Sequence, residues 1–275
     1  MFIETERLII RSIEPTDEQA YIDMASDGSL QDIFGDCSDC RKWMGTWIQE
    51  ARALDRQNNP AGEYLAYAVT DKQRGILLGS VGCSYYKDLK QVGITFFIGS
   101  AFRGQGYAAE AATAYAQYFF THYDIHKLIA TVRETNAASW KTVEKAGFVL
   151  SDTKMYRDIN DEQEELYMFY ELRDKIDTVL VHWDLQDCKA KQIYDTAWQV
   201  GDDYVLKVYQ DEKMLKRNLK MLQILTKQDI PVAQIIPTGD GAEYVFADGA
   251  FYFLSKKLPG NNITRIDSDS PLARS

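Results

Sequence analysis

Residues 101–111 read AFRGQGYAAEA. An arginine and two glycines interrupt an apolar stretch just where the strand-like run VGITFFIGS (92–100) gives way to an alanine-rich, helix-like one. A strand, a glycine-containing loop and a helix in that order gather backbone N–H groups at a helix N-terminus. There the first amides lack intrahelical acceptors and the helix dipole favours negative charge. Arg103, Gly104, Gln105 and Gly106 are therefore placed to hold an anion. In the pattern Arg103-x-x-Gly106-x-Ala108 the small residues would let a bulky diphosphate approach the backbone, and Arg103 would add a cation. The same spacing also suits a strand-to-helix turn that serves packing alone.

Working outward, TERLIIRSI (5–13) alternates like a strand, and EPTDEQAYIDMA (14–25) has the acid-rich opening of a helix. RKWMGTWIQEARALDRQ (41–57) reads as a second, amphipathic helix. EYLAYAVTD (63–71), ILLGSVGCSYY (76–86) and QVGITFFIG (91–99) are apolar runs parted by short polar turns, as in an antiparallel meander. YAAEAATAYAQYFFTHY (107–123) is apolar nearly all round, which predicts a buried helix. HKLIATVRE (126–134) is a strand and NAASWKTVEKAG (136–147) a helix, with Asn136 as its N-cap and Gly147 as its stop. EELYMFYEL (164–172) is a final strand. The pattern predicts one mixed α/β unit over residues 1–174.

After the polar RDKID (173–177) a second unit is expected over 176–262. KQIYDTAWQV and DYVLKVYQ are strands joined by GDD, EKMLKRNLKMLQILTKQ (212–228) is a helix, and AQIIPTG, AEYVFAD and AFYFLSKKL are three more strands. The tail, 263–275, is polar without periodicity and is expected to be disordered.

The 275 residues are 45% hydrophobic, enough for a packed core, and the formal charge is −10. That charge disfavours nonspecific nucleic-acid binding and attracts amine-bearing molecules. MFIETERLIIRS at the start is charged and strand-like rather than a signal peptide, and no apolar run is long enough to cross a membrane, so a cytoplasmic protein is expected. Cys37 and Cys40 form a C-x-x-C that could ligate zinc, do redox chemistry or sit in an ordinary loop. No second pair follows, His122, His126 and His182 are scattered, and no metal is expected.

The segment AFRGQGYAAEA, with TERLIIR before it and NAASWKTVEKAGF after it, resembles the GNAT superfamily of acyl-CoA N-acyltransferases, in its ribosomal-protein-alanine acetyltransferase-like branch. The resemblance covers about residues 2–172. It implies an α+β fold with a mixed, mostly antiparallel sheet flanked by helices, acetyl-CoA as cosubstrate, and direct attack by a primary amine in a ternary complex. The amine would belong to a protein N-terminus or to a small molecule such as an aminoglycoside. Backbone amides of Arg103, Gly104, Gly106, Tyr107 and Ala108, with Gln105 in the same loop, would hold the coenzyme A diphosphate. The strand ending at Phe97, Ile98 and Gly99 would splay from its neighbour to receive the pantetheine arm, and an N–H near Ile98 would stabilise the oxyanion.

Many family members place a proton-donating tyrosine where this chain has Val143. The branch resemblance suggests Ser139 instead, with Asn136 near the coenzyme; Ser139 could equally be a first-turn residue bonding the backbone, and Asn136 a plain cap. A glutamate common on the strand before the signature is replaced by Gly93 and Thr95, which leaves Glu134, Asp36, Asp39 and Tyr85 as weak candidates for the base. Trp43 and Trp47 could line an acceptor pocket or a core. These departures keep open a noncatalytic acyl-CoA-binding module.

The second unit resembles the nucleotide-binding N-lobe of aminoglycoside phosphotransferase-like kinases. The resemblance implies that Lys207 contacts nucleotide phosphates, although a lysine in such a strand can also snorkel from an edge. Asn218 and Lys220 stand where a glutamate partner is expected, and no H-x-D catalytic loop follows, so a complete kinase is not expected.

Overall fold

TERLIIRSI predicts one strand; the structure, a computed structural model that describes residues 1–158, 161–186 and 188–259, instead shows a hairpin of β1 (Phe2–Glu4) and β2 (Leu8–Ser12). Thr5 and Arg7 fall in its turn, where Thr5 Oγ1 accepts the Leu8 N–H at 2.9 Å. A 3-10 turn at Pro15–Asp17 leads into α1 (Glu18–Ala25), followed by α2 (Gln31–Phe34) and α3 (Cys40–Gln57). The meander is β3 (Tyr64–Asp71), β4 (Leu77–Tyr86) and β5 (Gln91–Ile98), antiparallel throughout. Then come α4 (Tyr107–His122), β6 (Lys127–Arg133), α5 (Ala137–Lys145), β7 (Val149–Tyr156) and β8 (Glu165–Arg173).

These strands form one sheet in the order β1-β2-β3-β4-β5-β6-β8-β7. Every neighbouring pair is antiparallel except β5 and β6, which run parallel as α4 crosses between them. Alternation along β5 sends successive side chains to opposite faces. Ile94 and Ile98 pack with Tyr115, Phe119 and Val143 of α4 and α5, whereas Phe97 packs with Tyr21, Met44 and Ile48 of α1 and α3. The core is thus two apolar layers on one sheet, and fully buried Ala112 and Tyr115 explain the all-round apolar helix.

The sequence pattern does not announce β7. Its residues VLSDTKMY lie at the sheet edge and are almost all exposed, so burial imposes no apolar alternation on them. Gly147 does end α5: its φ is +94°, and the Phe148 N–H reaches back to Val143 O at 3.0 Å.

The chain divides after Asp174 into two compact units. RDKID, expected as a connector, enters a short helix, α6 (Lys175–Leu180), which carries buried Ile176, Val179 and Leu180. KQIYDTAWQV makes two strands, β9 (Ala190–Tyr194) and β10 (Ala197–Val200), because Asp195 and Thr196 form a turn. After β11 (Tyr204–Tyr209), α7 (Glu212–Lys227) sets Leu215 and Leu219 against Phe253. β12 (Ile235–Ile236), β13 (Val245–Ala247) and β14 (Ala250–Lys256) complete an antiparallel sheet in the order β12-β14-β11-β10-β9, with β13 also on β14. The expected tail, 263–275, lies outside the described residues. No helix among the described residues is long and apolar enough to cross a membrane.

β2 is tied to the start of α1 by a bidentate pair: Arg11 Nη1 and Nη2 donate to the two Asp17 carboxylate oxygens, each at 2.8 Å. The Glu14 N–H donates to the same carboxylate at 2.8 Å. Burial alone would raise the Asp17 pKa, yet the Arg11 guanidinium and the Glu14 N–H hold it below its ordinary value. A carboxyl depressed in the folded state stabilises fully above its unfolded pKa of about 3.9, and that contribution is lost as pH falls through the folded value. Urea unfolding at neutral pH should show Asp17→Asn less stable by about 2 kcal/mol. Its acid-induced loss of stability should be shallower than in the parent chain.

Candidate active site

β5 ends at Ile98, Gly99 donates its N–H to Leu78 O at 2.9 Å, and the 3-10 turn Ser100–Phe102 delivers the chain to the loop. Gly104 (φ +78°) and Gly106 (φ +81°) both take the left-handed conformation that favours glycine. They turn the chain so that α4 begins at Tyr107. Among the described residues, no hydrogen-bond acceptor is recorded for the N–H groups of Gly104, Gln105, Gly106, Tyr107 and Ala108. A Cβ on Gly104 would meet no atom within 4 Å, so the loop is open on that side.

Arg103 is held within the loop. Its N–H turns to Ser100 O at 3.4 Å, and its guanidinium donates to Ile98 O and Ser29 O, each at 3.0 Å. Bonded to two neutral carbonyls, its guanidinium braces the loop and keeps its charge there. Two more cations stand close by: a Cβ on Gly106 would lie 3.6 Å from Arg7 Nη2 and 3.9 Å from Lys145 Nζ. Arg7 also donates to Gln105 O at 2.9 Å and grips Glu110 through Nε at 2.7 Å and Nη2 at 2.6 Å. Thr5 Oγ1 donates to Glu110 at 2.6 Å. Burial would raise the Glu110 pKa, but Thr5 and Arg7 hold it below the usual range. Arg7 lies inside the TERLIIR element and Lys145 inside NAASWKTVEKAGF, but neither motif by itself points to the loop.

Beside the loop the sheet opens, because β5 and β6 share a single paired position, Gly93 with Ile129. The bond from Gly99 to Leu78 fixes the ladder's phase. Alternation then turns the main-chain groups of Phe96 and Ile98 away from β4, towards the diverging β6. The Phe97 side chain is buried beside Phe34 at 5.4 Å and Tyr21 at 6.2 Å, ring centre to ring centre. Trp43, tilted, and Trp47, edge-on, pack against Phe34 at 5.4 and 5.1 Å, so they join the packed layer on that face.

Asn136 caps α5, its Oδ1 accepting the Ser139 N–H at 3.1 Å. Ser139 is partly exposed on the first turn. Val143 has no exposed surface and belongs to the core. Of the weak base candidates, Asp39 pairs with Lys42 at 2.8 Å and Asp36 accepts the Ser38 N–H at 2.8 Å. Glu134 is exposed, and Tyr85 packs on the α4 face, away from the Phe97 side. Its neighbour Tyr86 occupies the Phe97 side, a distinction that strict strand alternation between the two tyrosines could have supplied.

Cys37 and Cys40 are buried among α1 and α3 residues, and no group of three or more His, Cys, Asp or Glu side chains converges among the described residues. Lys207 sits on β11 between β10 and β14, its Nζ 6.0 Å from the Phe253 ring centre. No ion pair is recorded for it among the described residues, and Asn218 is hydrogen-bonded to the Tyr209 hydroxyl.

Residues 7–149 match the family model of the acetyltransferase (GNAT) domain. The chain is 26% identical over 147 residues to YnaD of Bacillus subtilis (strain 168), described as an uncharacterized N-acetyltransferase; the match spans 54% of this chain and 82% of YnaD. In fold it is similar to the RimL ribosomal L7/L12 α-N-protein acetyltransferase in complex with coenzyme A, at TM-score 0.54 and 16% identity, over 63% of this chain and 98% of that one. It is also similar to the ribosomal-protein-S5-alanine acetyltransferase of Vibrio fischeri, at TM-score 0.51 and 18% identity, over 64% and 97%. A helix opening on unsatisfied amides beside a parting of two parallel strands, within residues that match this domain model, leads to one assignment: the chain belongs to the GNAT acetyltransferase family.

Proposed function

We propose that the N-terminal unit is an acetyl-CoA-dependent N-acetyltransferase acting on a primary amine by direct attack in a ternary complex. The observation that carries this reading is the run of amides from Gly104 to Ala108 without acceptors among the described residues, set at the start of α4 beside the β5–β6 divergence. Left-handed glycines and two nearby cations, Arg7 and Lys145, suit a diphosphate. Acetyl-CoA supplies an activated acyl carbon and a thiolate leaving group.

The chain's own contribution is positioning and polarisation. Amides of Gly104, Gln105, Gly106, Tyr107 and Ala108 hold negative charge, and the main-chain groups of Phe96 with the Ile98 N–H, turned away from β4, offer the pantetheine arm strand-like partners. The Ile98 N–H is the donor placed to stabilise a developing oxyanion. Ser139 offers a hydroxyl to the leaving sulfur; Val143, sealed in the core, cannot. Asn136 supports this by fixing the α5 start.

The acceptor is a peptide N-terminus or a small amine such as an aminoglycoside. The charge of −10 supports a cationic acceptor, and acetyltransferases acting on ribosomal proteins occur among its fold neighbours. A noncatalytic acyl-CoA-binding module is the second reading, favoured by buried Val143 and by the missing strand glutamate at Gly93. No chemistry is assigned to the second unit, since Lys207 lies over an aromatic ring and its expected helical partner is absent.

Thiol release from acetyl-CoA with panels of peptides, polyamines and aminoglycosides should rise above the no-amine rate for at least one class. Gly106→Trp should abolish it together with acetyl-CoA binding; tight binding without turnover across all panels would select the second reading. Ser139→Ala should lower kcat by about tenfold, one lost hydrogen bond's worth, while calorimetry finds acetyl-CoA affinity within a factor of about three.

A further inference from the structure

Gly93 leaves β5 without a carboxylate, and the space above it is filled from the next strand. A Cβ at position 93 would lie 2.5 Å from Tyr86 Cε2 and 3.0 Å from Cδ2, so the Tyr86 ring can cross β5 there only because residue 93 is glycine. The same Cβ would lie 3.4 Å from Ile129 Cγ1, on the last paired position of β5 and β6. Two residues on, where the strands have parted, Thr131 Oγ1 stands 3.1 Å from the Tyr86 hydroxyl and 3.4 Å from Asp158 Oδ2. This row lies on the Phe97 side of the sheet, opposite the face covered by α4 and α5. Burial, then the Asp158 charge, pushes the Tyr86 pKa up to about 12, so its phenol is protonated near pH 7 and can take up a proton only as it hands its own on.

We propose that Tyr86 receives the proton of the attacking amine and relays it through Thr131 to Asp158, taking the place of the glutamate that β5 lacks. The inference rests on the acetyl-transfer reading above. As the amine nitrogen bonds to the acyl carbon and the carbon–sulfur bond breaks, its electron pair leaves on sulfur. The surplus N–H proton passes to the Tyr86 oxygen, the Tyr86 proton to Thr131 Oγ1, and the Thr131 proton to the Asp158 carboxylate. Asp158 is partly exposed and returns the proton to water. Tyr86 is the catalytic residue; Thr131 and Asp158 position it and accept the charge.

The charged and titratable groups facing Tyr86 are Asp88 and Asp158, with the Tyr156 hydroxyl close by. With 13C-labelled tyrosine, the Tyr86 ring resonance, identified by its loss in Tyr86→Phe, should follow the titration of a carboxylate. The response should survive Asp88→Asn and vanish in Asp158→Asn; its persistence in Asp158→Asn overturns the relay. Turnover is read with the best amine from the thiol-release panel, or with water as acceptor where no amine turns over. Tyr86→Phe should lower kcat by about 100-fold with acetyl-CoA affinity unchanged within about twofold. Gly93→Glu in a Tyr86→Ala background should restore at least about tenfold over Tyr86→Ala alone, an outcome that a packing role would not give. Unchanged kcat in Tyr86→Phe overturns the proposal, as does a parent chain that binds acetyl-CoA and releases no thiol. A parent chain that fails to bind acetyl-CoA removes the acetyl-transfer reading itself.

Discussion

β5 and β6 run parallel in a sheet whose other neighbours are antiparallel, and they share one bridge, Gly93 to Ile129. Beyond it the two strands separate, and the main-chain groups that a ladder would consume stay available. A parting in the middle of a sheet is costly unless each side is secured independently. Here β4 holds β5 along its length and β8 holds β6, so neither strand relies on the other. The two apolar layers close over the opposite faces and leave the gap bounded by backbone.

The loop at the end of β5 uses the same logic. Its glycines create a backbone shape that leaves amides unsatisfied, and that shape is secured from outside by Arg7, Thr5 and Glu110 in front and by Arg103 behind. The arginine in the signature stiffens the loop through two carbonyls, and Arg7 and Lys145 stand beside Gly106.

Much of this was legible in the sequence because the demands were local. The glycine spacing of 103–108, the Asn136 cap and the Gly147 stop are set by backbone conformation within a few residues. The sheet and helix order followed from alternation and apolar periodicity. What could not be read depends on distant neighbours. Arg7 meets the loop across about a hundred residues of chain, and β7 has no buried face to pattern it. Val143 reads as a departure from the family pattern, and its complete burial shows that packing claims the position. In the second unit, the strand lysine was visible, but its aromatic neighbour Phe253 lies across the sheet.

The grip of Arg7 on Gln105 and Glu110 also bears on when the cradle comes into being. Contacts separated by that much chain form only after the intervening loop entropy has been overcome, so they belong to the late, cooperative part of folding. During synthesis the glycine loop would emerge from the ribosome shapeless and acquire its grip only when the opening hairpin docks. The signature is therefore no portable module: grafted onto another helix, or excised as a peptide, it would keep its letters and lose its shape.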